Sequence, residues 1–126
     1  SSHTPAPGRV RLVLEVEPVR LPVDRAIPCG LLLNELVTNA LKHAFPEDRG
    51  GTLSVTLRPT DHGRMELAVA DDGVGIPAGK DLRRDGSVGS QIIHALSDQL
   101  GAELAVQSGP SGTTFRVSMA TEEPDA

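Results

Sequence analysis

The chain has no tryptophan, no tyrosine and only two phenylalanines in 126 residues. Its core must therefore be aliphatic, and it offers no aromatic platform on which nucleic-acid bases could stack. One cysteine, Cys29, excludes an internal disulfide and fits a reducing compartment such as the cytoplasm. At the start of an apolar-periodic stretch, that cysteine reads as a small buried hydrophobe. Basic residues are outnumbered, 12 Lys and Arg against 17 Asp and Glu, for a formal net charge of −5. That balance argues against a basic nucleic-acid face. No apolar run approaches the length of a membrane span and no signal-peptide pattern is visible, so no direct membrane contact is expected. His3, His43, His62 and His94 lack metal-ligand spacing with one another or with Cys29. Neither a nucleophile elbow nor a P-loop is present.

What is there has a clear order. Residues 1–8 are rich in Pro, Ser and Gly and read as a disordered lead or an appended remnant. A single domain is expected over 9–120, with a disordered acidic tail at 121–126. Val10 to Glu17 alternates as a half-buried strand would. Pro18 to Pro28 turns the chain into a long helix, with Asp24 as its cap and Pro46 as its stop. Thr52 to Arg58 and Arg64 to Asp71 form a strand pair across a turn at Pro59 to Gly63. Ile76 to Val88 is polar, Gly-punctuated and aperiodic, so a mobile loop is expected there. Gly89 to Leu100 is helix-periodic, and strands at Ala102 to Ser108 and Thr113 to Met119 close the chain. This pattern gives an α/β fold, a two-layer sandwich with helices on one face of a mixed, mostly antiparallel sheet.

The most informative stretch is Asn34 to Pro46. At about 100° per residue, Glu35, Asn39, Lys42 and His43 share one narrow arc of the long helix. Leu33, Leu36, Val37, Ala40 and Ala44 fall opposite and read as core. A carboxylate, an amide oxygen, an ammonium and an imidazole in a row form a set suited to a metal-bound phosphate. Asn39 offers a side-chain oxygen to Mg²⁺, a hard cation that takes few protein ligands and leans on phosphate oxygens. The bland alternatives are a mid-helix amide at 39, a surface carboxylate paired with Lys42, and a partly buried imidazole at 43. The second informative stretch is Asp71-Asp72-Gly73-Val74-Gly75-Ile76-Pro77, where a strand ends in an acid and two glycines admit a flat ligand close to backbone.

Together with Gly112-Thr113-Thr114-Phe115, these segments resemble the GHKL, or Bergerat-fold, ATPases. The run Ala26 to Ala40 is similar to the catalytic domain of sensor histidine kinases of the HisKA_2 type. The resemblance covers roughly residues 10 to 119 and holds the family's boxes in order. It implies ATP and Mg²⁺ as ligands, with Asn39 as the magnesium-binding asparagine. Glu35 would orient or deprotonate the attacking nucleophile, and Lys42 and His43 would meet phosphate. Asp71 would accept a hydrogen bond from the adenine amino group. Guanine presents an acceptor there, and an unpaired desolvated carboxylate costs about 2 kcal/mol or more, so ATP is favoured over GTP. Gly73, Gly75 and Ile76 would pass under the nucleotide, and Thr113 would reach adenine through water. Ser87, Val88 and Gly89 resemble the last glycine box, whose amides meet phosphate at a helix N-terminus. The family carries Leu where this chain has Val88 and Ser90.

The function implied is transfer of the ATP γ-phosphoryl group to a histidine on a separate dimerisation and phosphoacceptor domain, with a response regulator downstream. None of the four histidines lies in a sequence resembling the family's acceptor motif. An anti-sigma-factor-like serine kinase shares the Glu-x-x-x-Asn-Ala core. A non-catalytic nucleotide-binding module, its lid decayed, is the third reading, to which Val88 and Ser90 are a hint.

Overall fold

The computed structural model describes residues 9–76 and 88–122. The lead at 1–8, the loop expected between Ile76 and Val88, Ser87, and all but Thr121 and Glu122 of the tail lie outside them.

Seven elements follow in chain order: β1 (Val10–Val16), α1 (Val23–His43), β2 (Gly51–Thr60), β3 (Arg64–Asp71), α2 (Val88–Gln99), β4 (Glu103–Gly109) and β5 (Gly112–Ala120). One sheet runs β1-β2-β3-β5-β4. β1 pairs with β2 in parallel and every other neighbour is antiparallel, the mixed sheet that the sequence implies. Period-two alternation then sorts the faces. Leu53 and Val55 of β2, Met65, Leu67 and Val69 of β3, and Phe115, Val117 and Met119 of β5 turn toward the helices and are buried. They meet Leu32, Leu36 and Ala40 of α1 and Ile93 and Leu96 of α2 in one cluster, aliphatic but for Phe115. The opposite face stays polar, with Glu66 at 3.4 Å from both Arg58 and Arg116. Exposed pairs of that kind add little stability.

The long helix differs from expectation at its start. It begins at Val23, with Pro22 at the N-cap position and no side-chain cap, so Asp24 lies in the first turn. The Pro22 carbonyl takes the N–H groups of Arg25 and Ala26 at 3.0 and 2.8 Å, and a first-turn carboxylate suits the helix dipole. Pro28 sits inside the helix, where it removes only the bond to the carbonyl of exposed Asp24. The buried arc is centred on Cys29, Leu32, Leu36 and Ala40, while Leu33 and Val37 are only half-buried at its margin.

Arg25 is the unexpected member of the interior, only 4% exposed. Its Nη2 donates to the Leu100 carbonyl at 2.7 Å and its Nε to the Ala120 carbonyl at 3.0 Å. One planar guanidinium thus ties the start of α1 to the ends of α2 and β5. Cys29, one turn on, is buried as expected. Burial pushes its thiol up from the ordinary value, with the charge of Arg25 pulling weakly the other way. A neutral thiol of this kind is a packing group.

Candidate functional site

The site begins where β3 ends. Asp71 stands opposite Thr113 in the β3–β5 register. Its Oδ1 accepts the backbone N–H of Gly73 at 2.9 Å and of Thr113 at 3.2 Å. Two backbone donors on one oxygen fix the carboxylate plane, and among the described residues Oδ2 takes no protein hydrogen bond. Thr113 is buried, and its Oγ1 lies 2.8 Å from the Ser108 hydroxyl at the end of β4. That hydroxyl also accepts the N–H of Ile76 at 2.7 Å. The ends of three strands and the loop 72–76 are therefore held in one hydrogen-bonded chain, Asp71–Thr113–Ser108–Ile76.

Backbone approach explains the two glycines of that loop. A Cβ on Gly73 would collide with the carbonyl of Ala44, just past the end of α1. Gly75 has φ +79°, and a Cβ there would strike the carbonyl oxygen of Gly109. The loop is thus wedged between α1 and the β4–β5 turn. The Val74 N–H donates to the Ala44 carbonyl at 3.0 Å, which fastens it to the helix end.

The polar arc of α1 faces different conditions. Glu35 and Asn39 are half-buried, and Lys42 and His43 are exposed in the last turn. Among the described residues none of their side chains makes a hydrogen bond or ion pair, so Glu35 is not the partner of Lys42. Because α1 ends against Gly73 and Val74, this arc shares one end of the molecule with Asp71. Val88 and Gly89 open α2. Ser87 lies outside the described residues.

Three contributors were not singled out in the sequence. Ser108 could have been found, since a turn from Gly109 to Gly112 sets residue 108 opposite Thr113. Asp72 accepts the Thr52 N–H at 2.7 Å, and Arg49 donates to the Asp72 carbonyl at 3.0 Å. These bonds brace the loop from the β2 side. No periodicity announces them.

The donor chemistry suits a magnesium nucleotide. The described residues hold no cluster of three or more His, Cys, Asp or Glu side chains fit to bind a metal alone. A half-buried amide oxygen is what an ion arriving on phosphates would use, because Mg²⁺ keeps most of its shell from water and phosphate. The close backbone packing around Gly73 and Gly75 leaves the loop narrow enough to lie under a flat base. Among the described residues no helix is long and apolar enough to cross a membrane.

Helices over one face of a mixed sheet, with an acid and two glycines after a central strand, define an ATPase domain of the GHKL class. The chain belongs to the histidine kinase-, DNA gyrase B- and HSP90-like ATPase family, whose family model matches residues 25–123. It is 34% identical over 118 residues to blue-light-activated histidine kinase 2 of Erythrobacter litoralis, covering 94% of this chain and 34% of that protein. It is 37% identical over 86 residues to the sensor histidine kinase PdtaS of Mycobacterium tuberculosis, covering 67% of this chain and 17% of that one. Among solved structures, the Erythrobacter litoralis EL346 blue-light activated histidine kinase superposes with a TM-score of 0.85 at 34% identity, covering 89% of this chain and 35% of that one. The chain thus corresponds to the ATP-binding catalytic domain of histidine kinases and spans about a third of the length of the first relative. The family binds ATP.

Proposed function

We propose that this domain binds ATP with Mg²⁺ and passes the γ-phosphoryl group to a histidine on a separate phosphoacceptor domain. The parent would be a cytoplasmic-facing sensor kinase of the HisKA_2 type, with a response regulator downstream. The observation that carries the reading is the hydrogen-bonded chain Asp71–Thr113–Ser108–Ile76 lying at the same end of the fold as the polar arc of α1. In this reading Asp71 Oδ2 accepts the adenine amino hydrogen, and Thr113 and Ile76 border the base. Gly73 and Gly75 let the backbone pass beneath it. The side-chain oxygen of Asn39 would hold Mg²⁺, which would supply neutralising charge to the phosphates. Lys42, His43 and the amides of Val88 and Gly89 would meet phosphate, and the resemblance gives Ser87 the same role. Glu35 orients the incoming imidazole and accepts its proton at a carboxylate oxygen.

Positioning dominates phosphoryl transfer, so an isolated domain has no nucleophile in line. The 126-residue chain is expected to bind ATP without labelling itself or hydrolysing it appreciably. Adding an acceptor domain from the parent should restore acid-labile, base-stable label on histidine. Glu35→Gln should then slow transfer by about 10²-fold while ATP affinity holds, within the range of general-base contributions. Acid-stable label on a serine of a partner would favour an anti-sigma-type kinase. ATP binding with no transfer to any acceptor would favour a non-catalytic module.

A further inference from the structure

The first strand carries a pattern that the nucleotide site does not use. We propose that two copies of this chain associate through β1, pairing antiparallel about a two-fold axis at Val13 so that one sheet continues into the next.

Among the described residues β1 is an edge strand. The N–H of Gly51 reaches the Arg9 carbonyl and the N–H of Glu17 reaches the Leu57 carbonyl, at 3.2 and 2.8 Å. Odd-numbered residues therefore turn their backbone groups to β2. Even-numbered ones, Val10, Leu12, Leu14 and Val16, turn theirs to the open edge. Leu12, Leu14 and Val16 share a sheet face with their partners Leu53, Val55 and Leu57, the face that the helices cover farther in. Yet they are 55%, 61% and 59% exposed. β1 has no proline, and none of the four residues turned to the open edge is charged, so two of the usual protections of an edge are missing.

The sequence says what fits this edge. Residues 9–17 read Arg-Val-Arg-Leu-Val-Leu-Glu-Val-Glu, a palindrome in hydropathy whose charges invert across Val13. Antiparallel pairing centred there sets Leu12 against Leu14 and Val10 against Val16 as hydrogen-bonded pairs on the apolar face. On the other face Arg11 meets Glu15 and Arg9 meets Glu17, each twice by symmetry. A slip of two residues keeps only one kind of charge pair, and a slip of one turns the wrong backbone groups to the seam. Parallel pairing sets like charges side by side. The complement to this strand is therefore itself, and the contact is isologous.

Sedimentation equilibrium of the full chain should show a monomer–dimer equilibrium that weakens with salt. Arg11→Glu or Glu15→Arg alone should raise the dissociation constant by about tenfold, since two attractive cross-strand pairs become repulsive. The double variant R11E/E15R should restore it, which separates pairing from any loss of folding. Val13→Cys should cross-link to itself under mild oxidation, because a non-hydrogen-bonded antiparallel pair sets Cα atoms about 4.5 Å apart, within disulfide reach. A monomer at every concentration would overturn the proposal. So would a dimer indifferent to both reversals, or an edge that captures a strand of another protein and never its own.

Discussion

The two halves of the candidate site are built in opposite ways. On the strand side, Asp71, Thr113, Ser108 and Ile76 hold one another at 2.7 to 3.2 Å. On the helix side, Glu35, Asn39, Lys42 and His43 have no side-chain partner among the described residues. A half whose polar groups are bonded to each other recognises shape, because its atoms stay where the fold sets them. A half whose groups have no protein partner and stand at least partly open to solvent can meet a ligand that brings its own charge and arrives in more than one state. Under the function proposed above, base and phosphates call for these two designs.

The contrast can be broken first at the wedge between the halves. Gly73→Ala forces a methyl into the Ala44 carbonyl and should cost about 1–3 kcal/mol of stability, together with most ATP binding, in a thermal melt and a titration. A native melting temperature would show that the loop and α1 are less tightly joined than the packing indicates. Next in size, Asp71→Asn leaves an amide facing the adenine amino group and weakens two backbone bonds. ATP affinity should fall by about 30- to 100-fold by calorimetry, and the preference over GTP should shrink. Equal affinities for the two nucleotides in the wild-type chain would refute the assignment of Asp71. Asn39→Ala should act quite differently, lowering affinity only when Mg²⁺ is present. Because that side chain has no protein partner among the described residues, its removal should leave stability within about 0.5 kcal/mol. The smallest effect belongs to Ser108→Ala, which strips the Ile76 N–H of its acceptor. A several-fold loss of affinity with faster amide exchange at Ile76 is expected.

Much of the fold was legible because period two and period 3.6 hold cleanly through the strands and α2. The strand order was not legible, since antiparallel hairpins give no sign that β5 lies between β3 and β4. The start of α1 departs from the sequence expectation for a definite reason. Pro28 reads as a boundary, yet one missing hydrogen bond near a helix start is tolerated when the following turns pack as Leu32 and Leu36 do. That Glu35, Asn39, Lys42 and His43 lie along one side of α1 was legible from their spacing alone. Arg25 was not, since nothing local marks an arginine whose partners lie 75 and 95 residues away.

The bond from Val74 N–H to the Ala44 carbonyl has a consequence for exchange. Helix ends leave carbonyls without helical partners, and this one is satisfied by the loop after β3. Lifting that loop leaves a buried acceptor and a donor unmatched together, so the helix end and the loop open as one unit. Linkage then requires that whatever tightens the loop also protect the last turn of α1, and by the same free energy. A single amide, that of Val74, reports on both.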